Sequence, residues 1–345
     1  MNTIKKNYKI EFMYKFISNE IIRKTLCKNG SLIYTEGLIN KFKDYLKNDI
    51  ESWRYLCANT GGLNFTEVID LYLEYIKNDI QCWRYLCENT KKIDSIEGID
   101  RYLEYIKNDE KCWRYLCGNN IINSTEYIDK YMEFFKNDKE CWRDLCKNNK
   151  GINSIEYIDR YLEYIKNDRG CWRYLCDNTE GINSIEVIDR YLIYIKGDIM
   201  CWRYLCRSGS LNSIEKIDKY LRFIKNDKWC WRYLCKSNKG LNSIGKIDRY
   251  IQYIKNDEWC WRYLCRNTEG LNSIEKIDRC LEYIKDDIEC WRYLCFNTEG
   301  INSIERIDRY FEYIQYDFEC CRYLCENIEY KYITYNYNNY LVNVF

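Results

Sequence analysis

Residues 152–181 read INSIEYIDRYLEYIKNDRGCWRYLCDNTEG. Asn153 opens the stretch with Glu156 three residues on, the pattern of a helix N-cap with a capping-box partner. Ile152 and Tyr157 then occupy the hydrophobic-staple positions. Ile155, Ile158, Leu162 and Ile165 follow at helical spacing and form one apolar stripe, while Glu156, Asp159, Arg160, Glu163 and Lys166 lie off it. The spacing predicts a first helix over 154–166. Asp168 caps a second, predicted over 169–178, on which Trp172, Leu175 and Cys176 share a face. Gly181 marks the turn that ends it.

The same reading holds on both sides of this stretch. The Trp of WRYLC recurs as Trp53, Trp83, Trp113, Trp142, Trp172, Trp202, Trp231, Trp261 and Trp291, in steps of 29 or 30 residues. A tenth copy carries Cys321 in the Trp position, and a degraded earlier one, RKTLC, ends at Cys27. Both one-residue deletions fall after the second helix, between Cys117 and Asn123 and between Cys206 and Asn212, which places a loop there. Helices of about 13 and 10 residues cannot bury their stripes alone, but stacked on neighbours they can. The prediction is therefore all-α: a right-handed, TPR-like αα solenoid of about ten 30-residue helix pairs, roughly 100 Å long at about 10 Å per repeat. Its expected organisation is an N-terminal cap with a degenerate repeat over 1–33, an array over 34–325 and a Tyr/Asn-rich tail over 326–345. The Tyr-Lys-Tyr-Ile-Thr-Tyr alternation in that tail is strand-like, fitting either a cap or a loose end.

Composition removes several function classes. The 345 residues carry 54 Lys+Arg against 53 Asp+Glu, so no overall field draws in nucleic acid or anionic membrane. With no His there is no Ser-His-Asp triad, Cys-His pair or His-containing zinc site. No phosphate loop, dinucleotide fingerprint or nucleophile elbow is present, and nearly every polar residue recurs tenfold, where a catalytic site needs one constellation of unlike groups. The reading is a non-enzyme with no cofactor, metal or small-molecule substrate. No stretch of about 18 apolar residues predicts a membrane span. The opening residues lack the apolar run of a signal peptide, so the 22 cysteines read as free thiols in a reducing compartment, the cytoplasm.

Each repeat position becomes a column along the array. A buried Trp removes about 150–250 Å² from water, an upper bound of roughly 4–6 kcal/mol at about 25 cal/mol/Å², so the Trp column reads as core. Two Cys columns, five apart on one helix, read as small buried apolar residues, since C-x2-C pairs are absent. The Arg column (Arg54, Arg84, Arg114, Arg143, Arg173, Arg203, Arg232, Arg262, Arg292 and Arg322) has two readings. One is a ladder to the first-helix Asp column (Asp70, Asp100 and on to Asp308) that ties the two helices together. The other is a row of forks for carboxylates or phosphates. Tyr174 lies roughly opposite Trp172, and Asp144 replaces it in one repeat, so that face reads as wet. Tyr161 and Tyr164 flank the stripe, either as ordinary packing or as rows for recognition. Asp144, Trp229, Trp259 and Cys280 break the repeat pattern and are candidates for specificity.

YIDRYLEYIKNDRGCWRYL resembles the repeat of protein prenyltransferase α-subunits, and also the half-TPR repeats of RNA-processing scaffolds. It departs from the first in having Arg one residue after the Trp instead of three, and from the second in having Tyr two after instead of three. Those departures keep either family's function from being carried over. The WRYLC-type repeats, with the Ile/Asn/Lys/Tyr-rich composition, are more similar to the tryptophan-repeat gene family of entomopoxviruses, over about residues 20–325. That resemblance implies a viral protein of unassigned activity made in the infected cytoplasm. The expected function is a repeat scaffold for a viral or host protein partner. The alternatives are an RNA-binding scaffold, which the net charge of +1 disfavours, and a non-catalytic prenyltransferase α-like subunit.

Overall fold

The computed structural model describes residues 18–28, 44–59, 66–89, 92–148, 151–178, 180–301 and 303–327. Most of the N-terminal cap region and all but the start of the tail lie outside these residues, as does the strand-like reading of the tail. The described residues form helices joined by short turns, with no strand among them. The chain divides into two compact halves, Met1–Cys171 and Trp172–Phe345, and each is an αα solenoid.

In the amino-terminal half the second helices Ile50–Ala58, Ile80–Glu88, Glu110–Gly118 and Lys139–Lys147 pack in sequence against one another. In the carboxy-terminal half the same holds for Ile199–Arg207, Lys228–Lys236, Glu258–Arg266, Ile288–Phe296 and Phe318–Asn327. The predicted 169–178 helix runs Arg169–Asp177, and Asp168 caps it by accepting from Cys171 N at 3.0 Å.

The first helix corrects its prediction in two ways. Its cap is Ser154, not Asn153: Ser154 has an extended backbone, and its hydroxyl accepts from Tyr157 N at 3.3 Å. Ser154 directly precedes the first turn, the position from which a side chain meets the free N–H groups, and Asn153 lies one residue outside it. Glu156 then stands one position too early for a capping box, and the Ile152/Tyr157 staple is out of register by the same step. Asn at the 153 position has another use. Asn242 and Asn272 donate to Asn238 O at 3.0 Å and Thr268 O at 2.9 Å, closing the loop before the helix.

Secondly, the helix is broken. Ile155–Arg160 and Leu162–Ile165 are separated by Tyr161 at φ −107°, ψ 15°, and Tyr72, Tyr191 and Tyr310 interrupt their helices in the same way. The buried face is Ile158, Tyr161 and Ile165, with Ile155 and Leu162 only half-buried. The turn glycines are required by close approach: a Cβ on Gly181 would stand 2.6 Å from Leu175 O, which accepts from Ile182 N.

Candidate interaction surface on the second helices

Every Trp of the column is 2% exposed or less. The rings join neighbouring repeats. Trp83 stacks on Tyr105 at 4.8 Å and 1°, Trp231 on Tyr253 at 4.8 Å and 3°, and Trp291 on Tyr313 at 4.6 Å and 3°, each partner lying on the next repeat's first helix. A second ring, Tyr102, Tyr250 or Tyr310, meets the same indole at a tilt. The indole N–H donates to a backbone carbonyl at the end of its own repeat's first helix, Trp83 to Lys77 O at 3.2 Å and Trp231 to Lys225 O at 3.2 Å. Trp202 Nε1 is buried with no hydrogen-bond partner among the described residues. The Tyr161 and Tyr164 columns are thus taken up by packing: Tyr161 is buried, and Tyr164, 39% exposed, stacks on Trp142 at 4.8 Å.

The Arg column crosses between repeats and does not meet the first-helix Asp column, which corrects the ladder predicted from sequence. Arg54 pairs with Asp79, Arg84 with Asp109, Arg203 with Asp227 and Arg292 with Asp317, each at 2.7 Å. Arg114, Arg143, Arg173, Arg232 and Arg262 pair likewise with Asp138, Asp168, Asp198, Asp257 and Asp287. These are the Asp residues that cap the next repeat's second helix, so one carboxylate serves as cap and clamp. Burial pushes the Asp79 carboxyl up, but hydrogen bonds from Arg54 and from Cys82 N outweigh it and hold it below the usual range. Arg322, at the end of the described array, turns to Glu319 and Glu326.

The first-helix Asp column makes its own ladder, to the next repeat's first helix. Asp70 accepts from Arg101 and the Tyr102 hydroxyl, and Asp278 from Arg309 and the Tyr310 hydroxyl. Cys280 stands where the other described repeats have that buried Tyr. Asp248 keeps only Arg279, at 3.2 Å, and Trp261 keeps its stack on Tyr283.

Two further kinds of contact between repeats were not anticipated. The last Cys of one repeat lies beside the first Cys of the next, as in Cys57 with Cys82, Cys117 with Cys141 and Cys265 with Cys290. Cys27 meets Ser52 instead. Asn side chains at the end of the second helix reach back to the preceding repeat, Asn119 to Cys87 O at 2.6 Å and Asn297 to Cys265 O at 3.2 Å. Both columns share the 24- or 25-residue offset of the Arg–Asp pairs or lie close to 30. A search for complementary residues one repeat apart would have found them.

What faces outward is the remaining side of the second helix. Its Tyr row, including Tyr85, Tyr115, Tyr204, Tyr233, Tyr263 and Tyr293, is half-buried, as is Tyr174. Asp144 is half-buried beside Gly118, and burial raises its carboxyl above the usual range. Trp229 and Trp259 are 38% and 44% exposed. Among the described residues no three His, Cys, Asp or Glu side chains converge as metal ligands, and no helix is long and apolar enough to cross a membrane. No protein-family model, curated protein or solved structure matches the chain.

Proposed function

We propose that the protein is a non-catalytic repeat scaffold that binds a protein partner on the outward face of its second helices. One observation carries this reading. The residues that repeat most strictly, Trp, Arg, Cys and Asp, are spent on contacts between repeats, and what is left outward is a row of half-buried Tyr with two exposed Trp. Tyr and Trp offer large contact area at low entropic cost, the composition of protein-binding faces. With its guanidinium forks closed on Asp, the Arg column has little left for a phosphate backbone, which weighs against RNA. The 22 free cysteines support a reducing compartment, the cytoplasm, and the tryptophan-repeat resemblance supports a viral origin.

The test is affinity capture from host-cell lysate with the full chain and a Trp229→Ala/Trp259→Ala variant, each with and without nuclease. The reading expects a stoichiometric protein that survives nuclease and weakens with the variant. Recovery abolished by nuclease would replace it with RNA binding.

A further inference from the structure

Second helices Lys228–Lys236 and Glu258–Arg266 lie side by side in the carboxy-terminal half. Trp229, Arg232, Tyr233 and Lys236 fall at i, i+3, i+4 and i+7, one stripe of the helix surface, and Trp259, Arg262, Tyr263 and Arg266 repeat it. Within each stripe the Trp and Tyr rings adjoin, at 6.2 Å for Trp229–Tyr233 and 6.0 Å for Trp259–Tyr263. Arg232 lies over the Trp229 ring at 4.9 Å and Arg262 over Trp259 at 5.3 Å. The stripes are also linked to their neighbours: Lys236 reaches the Tyr263 ring at 5.8 Å, and Arg266 the Tyr293 ring at 5.6 Å.

The charge on this face is one-sided. Arg232 and Arg262 are neutralised by Asp257 and Asp287. Lys228, Lys236 and Arg266 are exposed and, among the described residues, have no carboxylate within ion-pair distance. The one acid on the two helices, Glu258, leans on Arg262 at 3.4 Å. In a chain of net charge +1 this is a local excess of uncompensated cations around two exposed indoles. The corresponding second helices of the amino-terminal half lack the indoles: Gln81, Lys111 and Glu140 stand at the Trp229 position, and Glu88, Gly118 and Lys147 at the Lys236 position.

We propose that this face binds an extended acidic peptide segment of the protein partner. Its carboxylates would pair with Lys228, Lys236 and Arg266, and its aliphatic side chains would lie against Trp229 and Trp259. The proposal rests on the scaffold reading and adds the partner's chemistry. Charge complementarity selects an acidic occupant over a neutral one. Single-stranded nucleic acid fits less well. Three unpaired cations fall short of the roughly 6–10 phosphate contacts of a nucleic-acid site, and a guanidinium already covers one face of each ring on which a base would stack.

The test is a selection from a library of random peptides of about 12 residues on the full chain. Fluorescence anisotropy of an enriched peptide then follows, on the wild type, Trp229→Ala/Trp259→Ala and Lys228→Glu/Lys236→Glu/Arg266→Glu. All five positions are exposed, and circular dichroism checks the fold of both variants. The expected result is enrichment of net-acidic peptides, with affinity at least about tenfold weaker in each variant. Enrichment of neutral or basic peptides, or of none, overturns the proposal. Acidic peptides that bind both variants as well as the wild type also overturn it, placing the site on another face while the scaffold reading stands. A labelled oligouridine that binds through the same two Trp and displaces the peptide overturns both.

Discussion

At the scale of single residues, exceptions to the repeat test what each column does. Trp202 is buried like its eight counterparts but, among the described residues, has no acceptor for its indole N–H. Replacing it by Phe forfeits no hydrogen bond, so Trp202→Phe should cost about 1 kcal/mol less than Trp231→Phe, where the bond to Lys225 O is lost. Urea denaturation of the two variants gives the difference, and equal costs would count against it. Cys280 removes a ring from Trp261 and a hydroxyl from Asp248 that the neighbouring repeats possess. Cys280→Tyr should raise stability by about 1–2 kcal/mol, read as a higher denaturation midpoint. Lys92 occupies the position of the turn glycines, 1% exposed, with its ammonium on the Leu56 and Cys57 carbonyls. Burial lowers its pKa to about 8. The unfolded chain therefore binds this proton more tightly, and stability should rise between about pH 8 and 10.5 by an increment that Lys92→Met abolishes. None of these exceptions announced its environment in the sequence. The repeat pattern singles out Cys280 without giving a reason and does not single out Lys92, because burial depends on the neighbouring repeat.

At the scale of helices, the cap and the clamp are one group. The Asp that starts each second helix also receives the preceding repeat's Arg, so an Arg262→Ala change should loosen two helices together. We expect a loss of about 1–2 kcal/mol, with Arg262→Lys recovering little because an ammonium cannot form the two-pronged pair. The Asp79, Asp109, Asp168 and Asp227 carboxyls are held low in the fold, and Asp317 at about 2, chiefly by Arg292. A depressed acid contributes fully above the unfolded value, about 3.9, and loses its contribution as pH falls through the folded one. Stability should therefore decline from about pH 4 towards pH 2, less steeply in Arg292→Gln. Unfolding midpoints across that range check it, and an unchanged slope in the variant would refute the clamp. The Asp cap was legible in the sequence, because an N-cap is set by local chain geometry. Which Asp the Arg meets was not, because pairing within a repeat and across repeats give the same periodicity. The first helix shows the same limit: its existence followed from the stripe, while its break falls at Tyr161, whose hydroxyl reaches Asp129 of the preceding repeat.

At the scale of the whole molecule, the solenoid class was fully readable, since a 30-residue period of paired helices can bury its stripes only by stacking. The outward face emerged by subtraction, once the structure showed which columns the stacking uses. The same subtraction governs the thiols. Of the 22 cysteines, Cys321 is exposed and Cys325 half-exposed, and all the others are buried. A chromogenic disulfide reagent should titrate about two thiols in the native protein and all of them in denaturant. The most direct measurement of this division between scaffold and surface is iodide quenching of tryptophan fluorescence. Eleven Trp are present, nine in the buried column, with Trp229 and Trp259 outside it beside unpaired cations that attract the anion. The account predicts that iodide reaches a minor component from these two, and that Trp229→Phe/Trp259→Phe abolishes it without changing the unfolding midpoint. Quenching of most of the emission, or a quenchable component that survives in the double variant, would contradict it.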